Sequence, residues 1–194
     1  CDNGDAGGHA ELTFDNNQLS LPTATHPAVH VSTYDQELRM RGSNIILEGE
    51  PLESGGEDWP NAYRYVPVDP AQRHLAVVVF YHPGEAALKY VVYNGMLFGM
   101  KGAVIPFNRF SKFSEAVGRR TLGIMCSFYF DDASITDLKR AKGQAQAHLS
   151  MAMTALGRPF APEKRQAMSG EADFLGLSHD LSRCHLDGTI DFWP

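Results

Sequence analysis

A chain of 194 residues with 43% apolar and 21% charged side chains can close one substantial core, and it carries no internal repeat. Its net charge of −6 is uneven: residues 1–100 hold 5 basic and 13 acidic side chains and residues 101–194 hold 12 and 10, so the first half makes a poor surface for phosphates. The apolar runs are too short to span a bilayer, no leader pattern opens the chain, and Cys1, Cys126 and Cys184 lack a CxxC spacing; this argues against a zinc module or a disulfide framework and for a soluble, intracellular protein with reduced thiols.

Taken in order, residues 1–56 are rich in Gly, Asp, Asn, Ser, Thr and Pro, with short apolar pieces at Ala28-Val29-His30-Val31 and Asn44-Ile45-Ile46-Leu47. That composition predicts an irregular N-terminal extension of loops, in which His9, His26 and His30 are solvent-exposed. Pro60, Pro67 and Pro70 then keep the following stretch extended or turning, so that it delivers Asp58 and Tyr63 to a surface. Leu75 to Tyr81 reads as a strand, His82-Pro83-Gly84-Glu85 as its turn and Leu88 to Tyr93 as the return. From Gly102 the period changes. Ala103, Phe107, Phe110, Ser114 and Val117 fall on one face of a helix over about 103–118, with Asn108, Lys112, Glu115 and Arg119 off that face and Gly118 as its stop.

Next comes Leu122 to Phe130, an apolar and aromatic run ending in Asp131-Asp132 and restarting at Ala133-Ser134-Ile135, which predicts a hairpin with two carboxylates at its tip. Thr136 is placed to cap a second helix whose stripe is Leu138, Ala141, Ala145, Leu149, Ala152, Met153 and Leu156, with Met151 and Met153 as core filler. Gly157 ends it. A loop through Pro162-Glu163-Lys164 leads to a strand at Phe174-Leu175-Gly176-Leu177, with Gly188 to Phe192 as its partner. The whole is an α+β fold: an antiparallel sheet with two helices packed on one face and the other face free to bind. The chain opens on Cys1 and stops at Phe192-Trp193-Pro194, which reads as a segment of something longer.

Adjacent ionised carboxylates beside a hydrophobic hairpin repel each other and are costly to desolvate, so they call for positive charge. A hard divalent cation meets that need, because Mg²⁺ takes oxygen ligands from one or two carboxylates and completes its shell with water and phosphate oxygens.

Four stretches in order resemble the palm of the reverse transcriptases of retroelements, a ferredoxin-like or RRM-like polymerase palm. Tyr129-Phe130-Asp131-Asp132 resembles the family's Tyr-x-Asp-Asp motif. Asp58-Trp59-Pro60-Asn61-Ala62-Tyr63 with Val66-Pro67-Val68 resembles the upstream motif in which an aromatic follows an Asp by five residues. Phe98-Gly99-Met100-Lys101-Gly102-Ala103 with Phe107 and Arg109 resembles the Phe-Gly segment, and Gly157, Pro162-Glu163-Lys164 and Phe174-Leu175-Gly176 resemble the stretches that close the palm. Val104 and Leu97 stand where the family commonly has Pro, and Glu53-Ser54-Gly55-Gly56-Glu57 precedes Asp58 where the family has an apolar strand.

The resemblance implies a palm over 57–194, with the extension as a remnant of the fingers. It implies RNA-directed DNA polymerase activity: nucleotidyl transfer from a dNTP to a primer 3′-hydroxyl on a primed RNA or DNA template, aided by two Mg²⁺ (or Mn²⁺) ions. Asp58, Asp131 and Asp132 would hold metal, and Lys164 would act at the pyrophosphate. Tyr63 would sit under the sugar, Phe98 and Gly99 beside base and template, with Lys101 and Arg109 among the substrate-binding residues. Phe192 and Trp193 would support a primer-holding hairpin or belong to the core. A catalytically inactive remnant that binds nucleic acid or protein is the alternative, and fingers and thumb would lie elsewhere in the polyprotein of a retrotransposon.

Overall fold

The computed structural model describes residues 19–40, 50–184 and 189–194, and of residues 35, 38, 39 and 101 the backbone alone. Cys1, His9, Asn44 to Leu47, Gly188 and the side chain of Lys101, all singled out above, fall outside the described residues. The chain forms two compact units, one of Asn61–Phe110 and one combining Ser20–Pro60 with Ser111–Pro194. The boundary falls within helix α2 (Lys101–Ala116).

In the Asn61–Phe110 unit, Asp69 accepts a hydrogen bond from Ala71 N at 2.9 Å and starts a 3₁₀ turn, Pro70–Leu75. The strand expected from Leu75 therefore begins two residues later, as β2 (Val77–His82), which pairs antiparallel with β3 (Ala87–Val92) from Val77↔Val92 to His82↔Ala87. Ala76, Leu97, Ala103 and Phe107 are buried in this unit. Its hairpin is not: Val79, Tyr81, Leu88 and Tyr90 are 50%, 57%, 61% and 68% exposed.

The larger unit is built on an antiparallel sheet in the order β4 (Met125–Tyr129), β5 (Asp132–Leu138), β1 (Leu52–Asp58), β6 (Gln166–Ser169). β1 is the unexpected strand, formed by Leu-Glu-Ser-Gly-Gly-Glu-Asp inside the stretch read as irregular. Its place depends on small residues rather than apolar ones. A Cβ at Gly55 would lie 2.9 Å from both Gln166 O and Met168 Sδ, so only glycine lets β6 come this close. The register with β6 shifts between Ser54 and Gly56, and Gln146 Nε2 closes the irregularity by donating to Gly56 O at 3.1 Å and Gln166 O at 2.8 Å.

Alternation along β4 sends Cys126 and Phe128 to one face and Ser127 to the other. On the Cys126 face lie the end of α2 and helix α3 (Gln144–Ala155), which buries Ala145, Gln146, Leu149 and Met153. Thr136 does not cap α3. It is fully buried within β5, and α3 instead follows Gly143 at φ +74°. Met151 falls off that buried stripe and is 68% exposed, and Leu156, 46% exposed, lies past the last turn as the C-cap of α3. α2 does not stop at Gly118: a π-turn, Val117–Thr121, follows Ala116, and a Cβ at Gly118 would sit 2.5 Å from Cys126 Sγ. Glu115 and Arg119, expected off the helix's apolar face, clamp β4. Glu115 Oε2 accepts from Phe128 N at 3.2 Å, and Arg119 Nε donates to Cys126 O at 2.6 Å. Cys126 and Cys184 are buried, and neither is in a disulfide among the described residues.

Helix α1 (His26–Met40), also within the stretch read as loops, lies on the Ser127 face. Pro27 suits its first turn, and Pro27, His30, Val31 and Tyr34 form its inward stripe. Val31 joins Leu52, Leu181 and Cys184 in a core cluster against which Tyr34, Leu138 and Ile190 pack. β7 (Glu171–Phe174) and β8 (Leu177–Asp180) form a hairpin with Leu175 at φ +51° and Gly176 at φ +79°, and β9 (Asp191–Trp193) pairs with β8. The Phe174 to Leu177 stretch expected as a strand is thus the tight turn of that hairpin, a two-residue loop with positive φ at both positions. Phe192 and Trp193 are 49% and 41% exposed and form no core.

His30, expected in solvent, is 1% exposed. Its Nδ1 lies 3.0 Å from Thr136 Oγ1 and its Nε2 2.8 Å from Ser127 Oγ, which also accepts from Arg119 Nη2 at 2.8 Å. Burial, with Arg119 and His26 nearby, pushes its pKa down from 6.5 to about 3. Below pH 6.5 the unfolded chain takes up a proton that the folded chain refuses. Stability from this site is therefore complete above pH 6.5 and declines by about 1.4 kcal/mol per pH unit as the pH falls toward 3. Urea unfolding at pH 7.5, 6 and 5 should show this slope, and His30→Gln should flatten it; an unchanged slope in the variant would refute the assignment.

Candidate catalytic site at the carboxylate hairpin

The β4–β5 hairpin closes with Tyr129 opposite Asp132, leaving Phe130 and Asp131 as a two-residue loop. Phe130 adopts φ +51°, a left-handed conformation that an aromatic residue rarely takes. Its carbonyl accepts a hydrogen bond from Ser111 Oγ at 2.6 Å, and its ring meets Tyr129 edge-on at 5.2 Å. These contacts hold the strained turn and set Asp131 at the tip.

β1 supplies the third carboxylate. In its register with β5, Asp58 stands directly opposite Asp132, so Asp58, Asp131 and Asp132 gather at one end of the sheet. Burial, with the charges of Asp131 and Asp58, pushes the Asp132 carboxyl up to about 6. Asp131 is raised by burial too, and Asp58 adds to the effect. Asp58 itself is anchored from behind. Trp59 is 1% exposed and stacks on Phe128 at 5.2 Å and Phe160 at 5.4 Å, while its Nε1 donates to Arg158 O at 3.1 Å.

Phe160 begins the loop that carries Lys164. Ala161 N donates to Asp58 O at 2.8 Å, a 3₁₀ turn spans Pro162–Lys164, and Lys164 Nζ reaches Asp58 Oδ2 at 3.0 Å. This hydrogen bond holds the Lys164 pKa above its ordinary value. A cavity of about 170 Å³ adjoins the group, lined by Asp58, Asp132, Lys164, Glu57, Asp173 and Phe174 among others. Glu57 was not singled out from the sequence. Its side chain is fully buried and lies 2.7 Å from Arg165 Nε; burial raises its pKa and Arg165 opposes that rise. The signal for it was faint: a Glu beside Asp58 at the end of β1 and an Arg beside Lys164 just before β6, whose adjacency only the fold reveals.

The residues expected at substrate lie in the Asn61–Phe110 unit. Tyr63 contacts Phe98 at 5.0 Å and Phe107 at 4.6 Å, Gly99 takes φ +82°, and Arg109 is exposed.

Among the described residues no group of three or more His, Cys, Asp or Glu side chains is disposed as a ready-made metal site. The donor chemistry of the three aspartates nonetheless suits a hard divalent cation: all are carboxylate oxygens, and Asp58 Oδ1 is buried with no hydrogen-bond partner. No helix among the described residues is long and apolar enough to cross a membrane.

An antiparallel α+β unit with a carboxylate-tipped hairpin beside a third aspartate is the class of fold to which these observations lead. No protein-family model matches the chain, and no curated protein matches it. Among solved structures it is similar to a foamy viral protease-reverse transcriptase in complex with double-stranded DNA, with a TM-score of 0.54 and 15% sequence identity. The likeness covers 69% of this chain and 22% of that one, so the chain spans about a fifth of its neighbour's length. The likeness is one of fold, an antiparallel α+β arrangement shared with part of that protein.

Proposed function

We propose that this chain is the palm segment of an RNA-directed DNA polymerase, transferring nucleotidyl groups from a dNTP to a primer 3′-hydroxyl. The observation that supports it most is the β1–β5 register, with Asp58 opposite Asp132 and next to the Asp131 turn. Asp58 and Asp131 would hold Mg²⁺ or Mn²⁺, with Asp132 supporting. Bound there, a pair of cations supplies an activated attacking hydroxyl and charge stabilisation at the leaving group. The chain's own residues do the positioning. Trp59 and Phe160 fix the end of β1 and the Lys164 loop relative to each other, and Lys164 offers an ammonium for the pyrophosphate.

A second reading, a catalytically inactive remnant that binds nucleic acid or protein, draws support from the Lys164–Asp58 pair, which compensates one carboxylate without any metal. Calorimetric titration with Mn²⁺ separates the two. Under the polymerase reading the chain binds the ion weakly alone and more tightly with a dNTP present, and Asp131→Asn lowers affinity by about tenfold or more. Equal binding by both proteins would sink it.

A further inference from the structure

The Lys164 ammonium stands where a cation serving Asp58 would act, and this has a consequence that rests on the polymerase reading. We infer that Lys164 is a tethered counter-ion, holding Asp58 in the metal-free protein and competing with the incoming divalent cation for it. Asp58 divides its two oxygens: Oδ2 accepts from Lys164 Nζ at 3.0 Å, and Oδ1 is buried without a hydrogen-bond partner. A cation shared between Asp58 and the hairpin must meet the same carboxylate charge that now binds the ammonium. Two positive groups cannot both approach it closely without repulsion.

The backbone that carries Lys164 is fixed on both sides of the turn. Phe160 stacks on Trp59, Ala161 N is bonded to Asp58 O at 2.8 Å, and Lys164 N donates to Ala161 O at 3.1 Å. Just beyond, Arg165 Nε lies 2.7 Å from Glu57 Oε1 and Arg165 Nη2 donates to Ser150 Oγ at 3.0 Å. The turn therefore stays in place when the pair opens, and only the Lys164 side chain, 52% exposed, has to move. Its four-carbon stem gives the freed ammonium a short radius around the carboxylates, within reach of an anionic group bound beside them. Cation loading and presentation of Lys164 to a triphosphate are then one exchange: the ion takes Asp58 and releases the lysine.

The test uses the whole 194-residue chain and two readouts. In Mn²⁺ calorimetry, Lys164→Gln should bind about three- to tenfold more tightly than the parent, and Asp58→Asn should bind much more weakly. In the parent labelled with ¹⁵N at lysine, the Lys164 ammonium signal should report a paired group without metal and shift to a free one on saturation with Mg²⁺. Equal or weaker Mn²⁺ binding by Lys164→Gln, with binding still lost in Asp58→Asn, would overturn the counter-ion role and leave the polymerase reading intact. So would a Lys164 signal that ignores Mg²⁺. Absence of Mn²⁺ binding in every protein would overturn both.

Discussion

Under the polymerase reading, Asp58→Asn is expected to lower Mg²⁺-dependent primer extension, itself slow for a palm segment alone, by about 10³-fold, equivalent to about 4 kcal/mol of transition-state stabilisation, while leaving the protein as stable as before or slightly more so. The two halves of this expectation have separate causes. Asparagine keeps the size of aspartate and one acceptor oxygen but carries no charge with which to hold a cation. It also removes one of the charges that raise Asp131 and Asp132, so the carboxylates at the end of the sheet repel each other less. The Lys164 pair that is lost is half exposed on the lysine side, and exposed pairs of this kind contribute little. Extension on a primed RNA template, read beside a thermal melt, checks both. Undiminished extension would remove Asp58 from the catalytic machinery, and a large drop in melting temperature would make it a structural residue.

Trp59→Ala is expected to cost about 3–5 kcal/mol, a large part of the stability of a domain this size. Trp59 is 1% exposed and packs against both Phe128 and Phe160, whose rings already meet at 6.3 Å, so its removal leaves a cavity beside that pair which neither ring can fill without moving β4 or the Lys164 loop. Arg158, whose guanidinium lies 5.2 Å from the Trp59 ring centre, loses its aromatic face, and Arg158 O loses its donor. Trp59→Phe should cost much less, since stacking survives and only the indole N–H is lost. Urea unfolding of the two variants against the parent measures the difference. Similar small losses in both would mean that the stack is not what holds β1 to the loop.

Much of the architecture was legible because it follows from side-chain period. The β2–β3 hairpin, the carboxylate hairpin and α2 announce themselves through alternation or helical spacing, and the structure has them within a few residues of the expected bounds. β1 was not legible. A buried strand is normally recognised by apolar side chains, whereas this one is buried by closeness: Ser54 Oγ donates to Ile135 O at 3.1 Å, Gly55 admits β6, and Glu57 meets Arg165. α1 stayed hidden for a similar reason. Its inner stripe counts a proline and a histidine among its members, and His30 is buried only because Thr136 and Ser127 answer both ring nitrogens. Thr136 misled in turn, since a residue suited to capping a helix serves equally well inside a strand that needs a hydroxyl. At the site, the tip carboxylates could be read from local sequence. The ion pairs Lys164–Asp58 and Arg165–Glu57 could not, because each joins residues more than a hundred positions apart.

The β2–β3 ribbon bears on how the protein behaves as a solute. Tyr81, Leu88 and Tyr90 are more than half in water, on a two-stranded ribbon of β-branched and aromatic residues. Such a ribbon is marginal by itself and gains from meeting any similar edge, including its own in another molecule. Its ion pairs, among the described residues, are those of Glu85 with Lys89 and His82 near the turn, and at the opposite end Arg64 lies over the Tyr93 ring at 5.6 Å, so the middle of the ribbon carries the exposed apolar surface. Clustering of the chain should therefore rise steeply with protein concentration and fall when an outward tyrosine such as Tyr90 is exchanged for lysine, so the practical ceiling on handling it is colloidal and is set by the two strands of this ribbon rather than by the aspartates.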